Sequence, residues 1–132
     1  MIELKKVFTV EEPEEDKAAF FDIVSCENGR ETVVGSCSLR TSSGEEGGNV
    51  GYFVQEEFRG RGYAEEAGRQ LLFLAKRWEM QRVHIACETG NPASEAVARA
   101  LGGVKTGTVQ VHMDGSHNNT ALREAVLYTV DL

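Results

Sequence analysis

Apolar positions along the chain follow two different rhythms. Up to residue 54 they come in short runs broken by polar residues: IELKKVFTV (2–10), AAFFDIVSC (18–26), TVVGSCSLR (32–40) and NVGYFV (49–54). Runs of this length and composition predict four strands. In the third, Val33, Gly35, Cys37 and Leu39 alternate with polar neighbours, which predicts that these four share one face. Asn28-Gly29, between the second and third runs, is a strong short-range hairpin signal. Beyond residue 63 the period changes. Ala64, Ala67, Leu71, Leu74 or Ala75, and Trp78 fall at i, i+3, i+7, i+10 or i+11, and i+14, one face of an amphipathic helix. RVHIACE (82–88) then reads as a hydrophobic strand of the kind buried centrally in a sheet. GNPASEAVARALGG (90–103) predicts a second helix, with Asn91 as N-cap, Pro92 at its first position and Gly102 closing it. VKTGTVQVHM and LREAVLYTVDL supply two closing strands around the loop DGSHNNTA. The predicted order is β-β-β-β-α-β-α-β-β, a mixed α/β (α+β) sheet of about seven strands with antiparallel hairpins and one βαβ crossover. No repeat or linker divides residues 1–132, so a single domain is expected.

Composition narrows the class. With 132 residues, 41% hydrophobic and 27% charged, the chain can bury a core without metal or disulfide staples. Cys26, Cys37 and Cys87 are isolated, odd in number and set in apolar strands, so they read as reduced core thiols. The start, MIELKKVFTV, lacks the apolar core of a secretory signal, and no run is long enough to span a bilayer. A cytoplasmic protein without membrane attachment is expected. The net charge of −7 argues against nonspecific nucleic-acid binding and favours a cationic partner; the acidic stretch EEPEED (11–16) carries much of it and reads as a solvated loop. His84 lies among buried strand positions, and His112 and His117 have no companion ligand, so no metal site is expected. Tyr52 and Trp78 read as core-lining aromatics, and Tyr128, on the last strand, as one that could face a substrate.

Between the fourth strand and the first helix lies Arg59-Gly60-Arg61-Gly62. Glycine weakens a helix start, and arginine opposes the positive end of the helix dipole. Both become favourable if an anion sits there. Backbone N–H groups of the first turn lack internal partners, glycines let the backbone approach a phosphate, and the arginines add charge-assisted hydrogen bonds. A dinucleotide fingerprint fails, because Glu65 stands where the third glycine should be, and no Walker A loop is present.

The run Val54-x-Glu56-x-Phe58-Arg59-Gly60-Arg61-Gly62-Tyr63-Ala64 resembles the acetyl-CoA-binding motif of the GNAT N-acetyltransferase superfamily, [Q/R]-x-x-G-x-[G/A], with Arg59, Gly62 and Ala64 at the core positions. The later stretch NPASEAVARALGG is similar to the family's second signature through Asn91, Ser94, Leu101 and Gly102, with Gly103 in place of the usual aromatic. The details look closest to ribosomal-protein-alanine acetyltransferase-like members. The resemblance implies a mostly antiparallel sheet whose fourth and fifth strands splay apart, often at a bulge in the fourth, with acetyl-CoA in the gap.

On that resemblance, the chain would be an acetyl-CoA-dependent N-acetyltransferase acting on a peptide, protein or small cationic amine. The backbone of Phe53 and Val54 would hold the pantetheine arm and polarise the thioester carbonyl. The amides of Arg59, Gly60, Arg61, Gly62, Tyr63 and Ala64 would cradle the pyrophosphate, and Asn91 would contact the pantetheine from the other side. The attacking amine must lose a proton; Glu56 is the first candidate for the base, with Glu57 and Glu88 as alternatives. Many members protonate the leaving thiolate with a tyrosine four residues before the helix-ending glycine, but here that position is Ala98. Ser94 is the remaining candidate.

One departure concerns the acceptor side. Typical members place two helices between their first two strands, where this chain has only VEEPEEDKAA. Its acceptor wall is expected to be open, or completed by a second subunit in a homodimer. An alternative reading, favoured by the missing tyrosine and helices, is a catalytically idle CoA-binding module with a sensing or scaffolding role.

Overall fold

The computed structural model describes residues 2–11, 17–41, 48–111 and 123–132. The acidic stretch 12–16, His112, His117 and the loop at 114–121 lie outside the described residues. Within them run β1 (Ile2–Glu11), β2 (Lys17–Glu27), β3 (Arg30–Arg40), β4 (Val50–Val54), a single 3-10 turn (Glu56–Phe58), α1 (Tyr63–Arg77), β5 (Arg82–Glu88), α2 (Pro92–Ala100), β6 (Val104–Val111) and β7 (Arg123–Asp131). The order of strands and helices is the predicted one. The strands form two antiparallel sheets, β1-β2-β3-β4 and β5-β7-β6.

Local chemistry explains several boundaries. Asn28 and Gly29 take φ of 52° and 73°, the left-handed pair that a tight two-residue hairpin requires, and Glu27 faces Arg30 across it. Asn91 caps α2 by accepting the Ser94 amide at 3.2 Å, and Gly102, at φ 92°, ends it.

Three expectations are corrected. The alternation in β3 breaks at Val34, an extra residue between the pairs Ile23–Gly35 and Val24–Val33. That bulge turns Val33 outward, 49% exposed, and buries Val34 fully, while Cys37 and Leu39 stay inside. The irregularity therefore sits in the β2–β3 ladder, and the β3–β4 register runs unbroken from Leu39–Val50 to Gly35–Val54. Finally, β5 is the edge of its own sheet rather than a central strand; its Val83, Ile85 and Cys87 are buried from one side.

The core lies between the sheets and the two helices. Tyr63, Ala67, Leu71 and Ala75 of α1 pack on Phe21, Ile23, Val34, Leu39 and Val54, and Ala98 and Leu101 meet Ile85, Val126 and Tyr128 in the same cluster. Gly68 is where α2 comes closest to α1: a Cβ there would stand 2.6 Å from a Leu101 methyl. The opposite face of the first sheet carries Phe20, Asp22, Ser36, Ser38, Gly51 and Phe53, and no described helix covers it.

Candidate functional site

The edge strands β4 and β5 face each other, and one residue joins them. The Asn49 amide donates to the His84 carbonyl at 2.7 Å, and its side-chain oxygen accepts the His84 amide at 2.8 Å. Its Nδ2 also donates to the Arg40 carbonyl at 3.0 Å, so Asn49 clamps the two sheets at the start of β4. Gly48 (φ 83°) makes this approach possible, since a Cβ would lie 3.0 Å from the Ala86 amide. Beyond this clamp no β4–β5 ladder forms among the described residues. His84 is structural, with its ring 2.9 Å from the Thr129 hydroxyl.

The gap opens into a cleft of about 500 Å³, lined by Tyr52, Phe53 and Val54 of β4, by Phe58 to Gly60 and Gly62 to Glu65, and by Asn91, Ser94 and Val97 of α2 and its cap. At its far end Gly60 (φ 82°) and Gly62 (φ 80°) both adopt left-handed backbone, and a Cβ added at either would meet no atom within 4 Å. Gly62 is the N-cap of α1 and has no side chain to satisfy the first amides. The result is a bare helix N-terminus, suited to an anion.

The expected site residues divide between this cleft and its surroundings. Phe53, Val54, Arg59, Gly60, Gly62, Tyr63, Ala64, Asn91 and Ser94 line it; Glu56 and Arg61 do not. Arg61 lies over the Phe58 ring at 5.8 Å and faces a separate polar hollow with Ser25, Glu27 and Arg30. Tyr63 contributes backbone only, because its hydroxyl turns away to Ser25 Oγ at 3.2 Å. Arg59 folds back: its Nε donates to the Val54 carbonyl at 2.9 Å, and its guanidinium lies 5.6 Å from the Phe53 ring. It thereby fixes the last residues of β4, a role the motif does not announce. Glu56 and Glu57 are exposed in the 3-10 turn just past β4, and Glu88 ends β5.

Tyr52 packs against the core as expected, and its hydroxyl also reaches across the splay. Its hydroxyl donates to the Ser94 carbonyl at 3.2 Å and lies 3.4 Å from Ser94 Oγ. Burial pushes its phenol up to about 12. The Cys87 thiol is also raised by burial. A signal for this exists in the sequence: Val50, Tyr52 and Val54 share one face of β4, with the polar tip at the point where pairing to β5 stops. Tyr128, by contrast, faces no acceptor surface. It is 2% exposed, donates to Glu95 at 2.8 Å and accepts from Arg99 at 2.8 Å. Gly103 stands where an aromatic was expected because a Cβ there would sit 2.7 Å from the Ala98 carbonyl. Among the described residues no cluster could hold a metal ion, and no helix is long and apolar enough to cross a membrane. All three cysteines are free, Cys37 and Cys87 buried and Cys26 half-buried.

A two-sheet α/β fold splayed over a glycine-edged helix N-terminus is that of an acyl-CoA-dependent acetyltransferase domain. The chain belongs to the GNAT acetyltransferase domain family, whose model matches residues 3–104. It is 32% identical over 82 residues to a Bacillus subtilis (strain 168) protein provisionally named ribosomal N-acetyltransferase YdaF, a match spanning 61% of this chain and 43% of that one. Solved structures agree in fold. Ribosomal-protein-S5-alanine acetyltransferase from Vibrio fischeri superposes with a TM-score of 0.65 at 24% identity, over 86% of this chain and 61% of its own. The microcin self-immunity acetyltransferase MccE, solved with acetyl-CoA and AMP, gives 0.63 at 19%, over 87% of this chain and 61% of its own. The chain thus spans under half of the curated relative and about three fifths of these structures.

Proposed function

We propose that this chain transfers an acetyl group from acetyl-CoA to a primary amine by direct attack of the amine on the thioester. The observation that carries this reading is the cleft itself: an unpaired β4 edge that leads from the Asn49 clamp to a bare, glycine-flanked helix N-terminus. The pantetheine arm would add to β4 as an extra strand, with backbone groups of Phe53 and Val54 on the thioester and Asn91 opposite. The amides from Arg59 to Ala64 would take the pyrophosphate. A backbone N–H aimed at the developing oxyanion contributes about 3 to 4 kcal/mol to acyl transfer.

The deprotonating base is assigned to Glu56. It lies outside the cofactor cleft, exposed in the 3-10 turn that follows β4, and would act from the acceptor side. Glu57 in the same turn and Glu88 at the end of β5 are the alternatives. Ser94 lies on the cleft wall at the sulfur end. The names of the relatives point to ribosomal proteins as acceptors, and a chain of net charge −7 suits such basic partners.

Two measurements test this. Saturating acetyl-CoA should raise the melting temperature by several degrees, by mass action on the folded state. Free CoA should then be released when peptides with unblocked N-termini are added. Absence of stabilisation removes the cofactor reading. Stabilisation without release across a broad amine panel leaves an idle CoA-binding module.

A further inference from the structure

The departing sulfur of CoA needs a hydrogen-bond donor, and the sequence holds three tyrosines. Tyr63 points away to Ser25, and Tyr128 is sealed between Glu95 and Arg99. Ala98 is fully buried and does not line the cleft. Tyr52 lines the cleft, and its hydroxyl lies beside Ser94 on the first turn of α2. The Ser94 carbonyl to which it donates is also placed to accept the helix's own i+4 amide, so this bond can be exchanged for one to a ligand. Ser94 Oγ, the donor implied by the family resemblance, lies 3.4 Å away and would on this reading orient the phenol instead.

Resting on the acetyl-transfer reading, we propose that the Tyr52 hydroxyl donates a hydrogen bond to the thioester sulfur as it leaves. In the balanced step the amine nitrogen bonds to the carbonyl carbon and gives its proton to the general base. The C–S bond then breaks, and its electron pair goes to sulfur. Tyr52 holds the thiolate without surrendering its own proton, because a phenol raised to about 12 is a weaker acid than a thiol at about 8.5. The proton taken from the amine reaches sulfur through the base or water, releasing CoA–SH and the amide.

Two experiments test this, and the first uses the unmodified protein. Thiolate absorbance of bound CoA, titrated with pH, should show its thiol ionising at lower pH than free CoA, and Tyr52→Phe should return it toward the free value. The second is turnover with a peptide acceptor. Tyr52→Phe should lower kcat about 10- to 100-fold, the loss typical of one hydrogen bond to a charged group, with the Kd for acetyl-CoA within about twofold. A purely structural tyrosine would leave the thiol titration unmoved. Unshifted titration in the unmodified protein, or full kcat in Tyr52→Phe, overturns the proposal while leaving acetyl transfer intact. Failure of the unmodified protein to bind CoA overturns both.

Discussion

The two faces of the first sheet are built on different terms. On one, α1 and α2 seal a core and end in the cleft, where nearly every backbone group has a stated task. On the other, Phe20, Asp22, Ser36, Ser38 and Phe53 line a face that no described helix covers, and Phe53 is 55% exposed. Only residues 12–16 separate β1 from β2. On the side of the proposed cofactor the chain uses glycines and caps; on the opposite side, the one proposed for the acceptor, no described helix covers the sheet. The cofactor side should therefore be intolerant of small changes, and the open face tolerant of large ones.

The steepest test of that contrast is Gly35. It pairs with Val54, and a Cβ there would lie 2.0 Å from the Phe53 carbonyl oxygen, a backbone atom that cannot swing aside. Gly35→Ala should lower the unfolding free energy by about 3 kcal/mol in urea denaturation, because β4 must move bodily. Next comes Gly62→Val. With φ at 80° a β-branched residue is strained, and its side chain would fill the anion cradle. Affinity for acetyl-CoA should fall about 100-fold by calorimetry, the combined loss of strain and anion contacts.

This contrast also explains what the sequence could tell. The helix N-terminus at Gly62, the Asn91 cap and the Asn28-Gly29 turn depend on residues adjacent in the chain, so their chemistry was legible. The succession of strands and helices was legible for the same reason, but their division into two antiparallel sheets, with the order β5-β7-β6 in the second, was not. The Val34 bulge was not, because it depends on how β2 and β4 flank β3 from either side. The Arg59 contact with Val54 could not be read; the alternation of β4 turned Tyr52 inward, but its partner Ser94 lies 42 positions away. The charge at the helix start marked Arg59 as a phosphate ligand; its hydrogen bond to the Val54 carbonyl is seen only in the fold.

Alkaline pH should act mainly on groups buried toward the closed face. Burial holds the Cys37 thiol up to about 12, and Tyr52 likewise. Both folded values stand above those of the unfolded chain. Their contribution is therefore complete below the unfolded values, near 9 and 10, and is lost as pH rises toward 12. Unfolding free energy should be about 1 to 2 kcal/mol lower at pH 10 than at pH 8, and Cys37→Val should remove part of that slope. A flat profile would mean that neither group is shielded. Arg59→Ala sharpens the same side further. If the guanidinium serves β4, binding of acetyl-CoA and of acetyl-pantetheine, which lacks the phosphates, should weaken alike, by about 10-fold. Loss confined to acetyl-CoA would return Arg59 to the phosphate.

The smallest effect is expected on the open face. Asp22, Ser36 and Phe53 lie in one cross-strand row, so Asp22 sits about 10 Å, two strand spacings, from the proposed thioester-holding strand. A carboxylate at that distance can attract a cationic acceptor without touching the reacting atoms, and solvent screening limits what it contributes. Asp22→Asn should raise KM for a basic peptide about 2- to 5-fold, with kcat and acetyl-CoA affinity unchanged, and added salt should erase the difference. If Asp22→Asn instead weakened acetyl-CoA, the two faces would be energetically joined through β2 and β3. The uncovered sheet would then belong to the cofactor site, not to the acceptor.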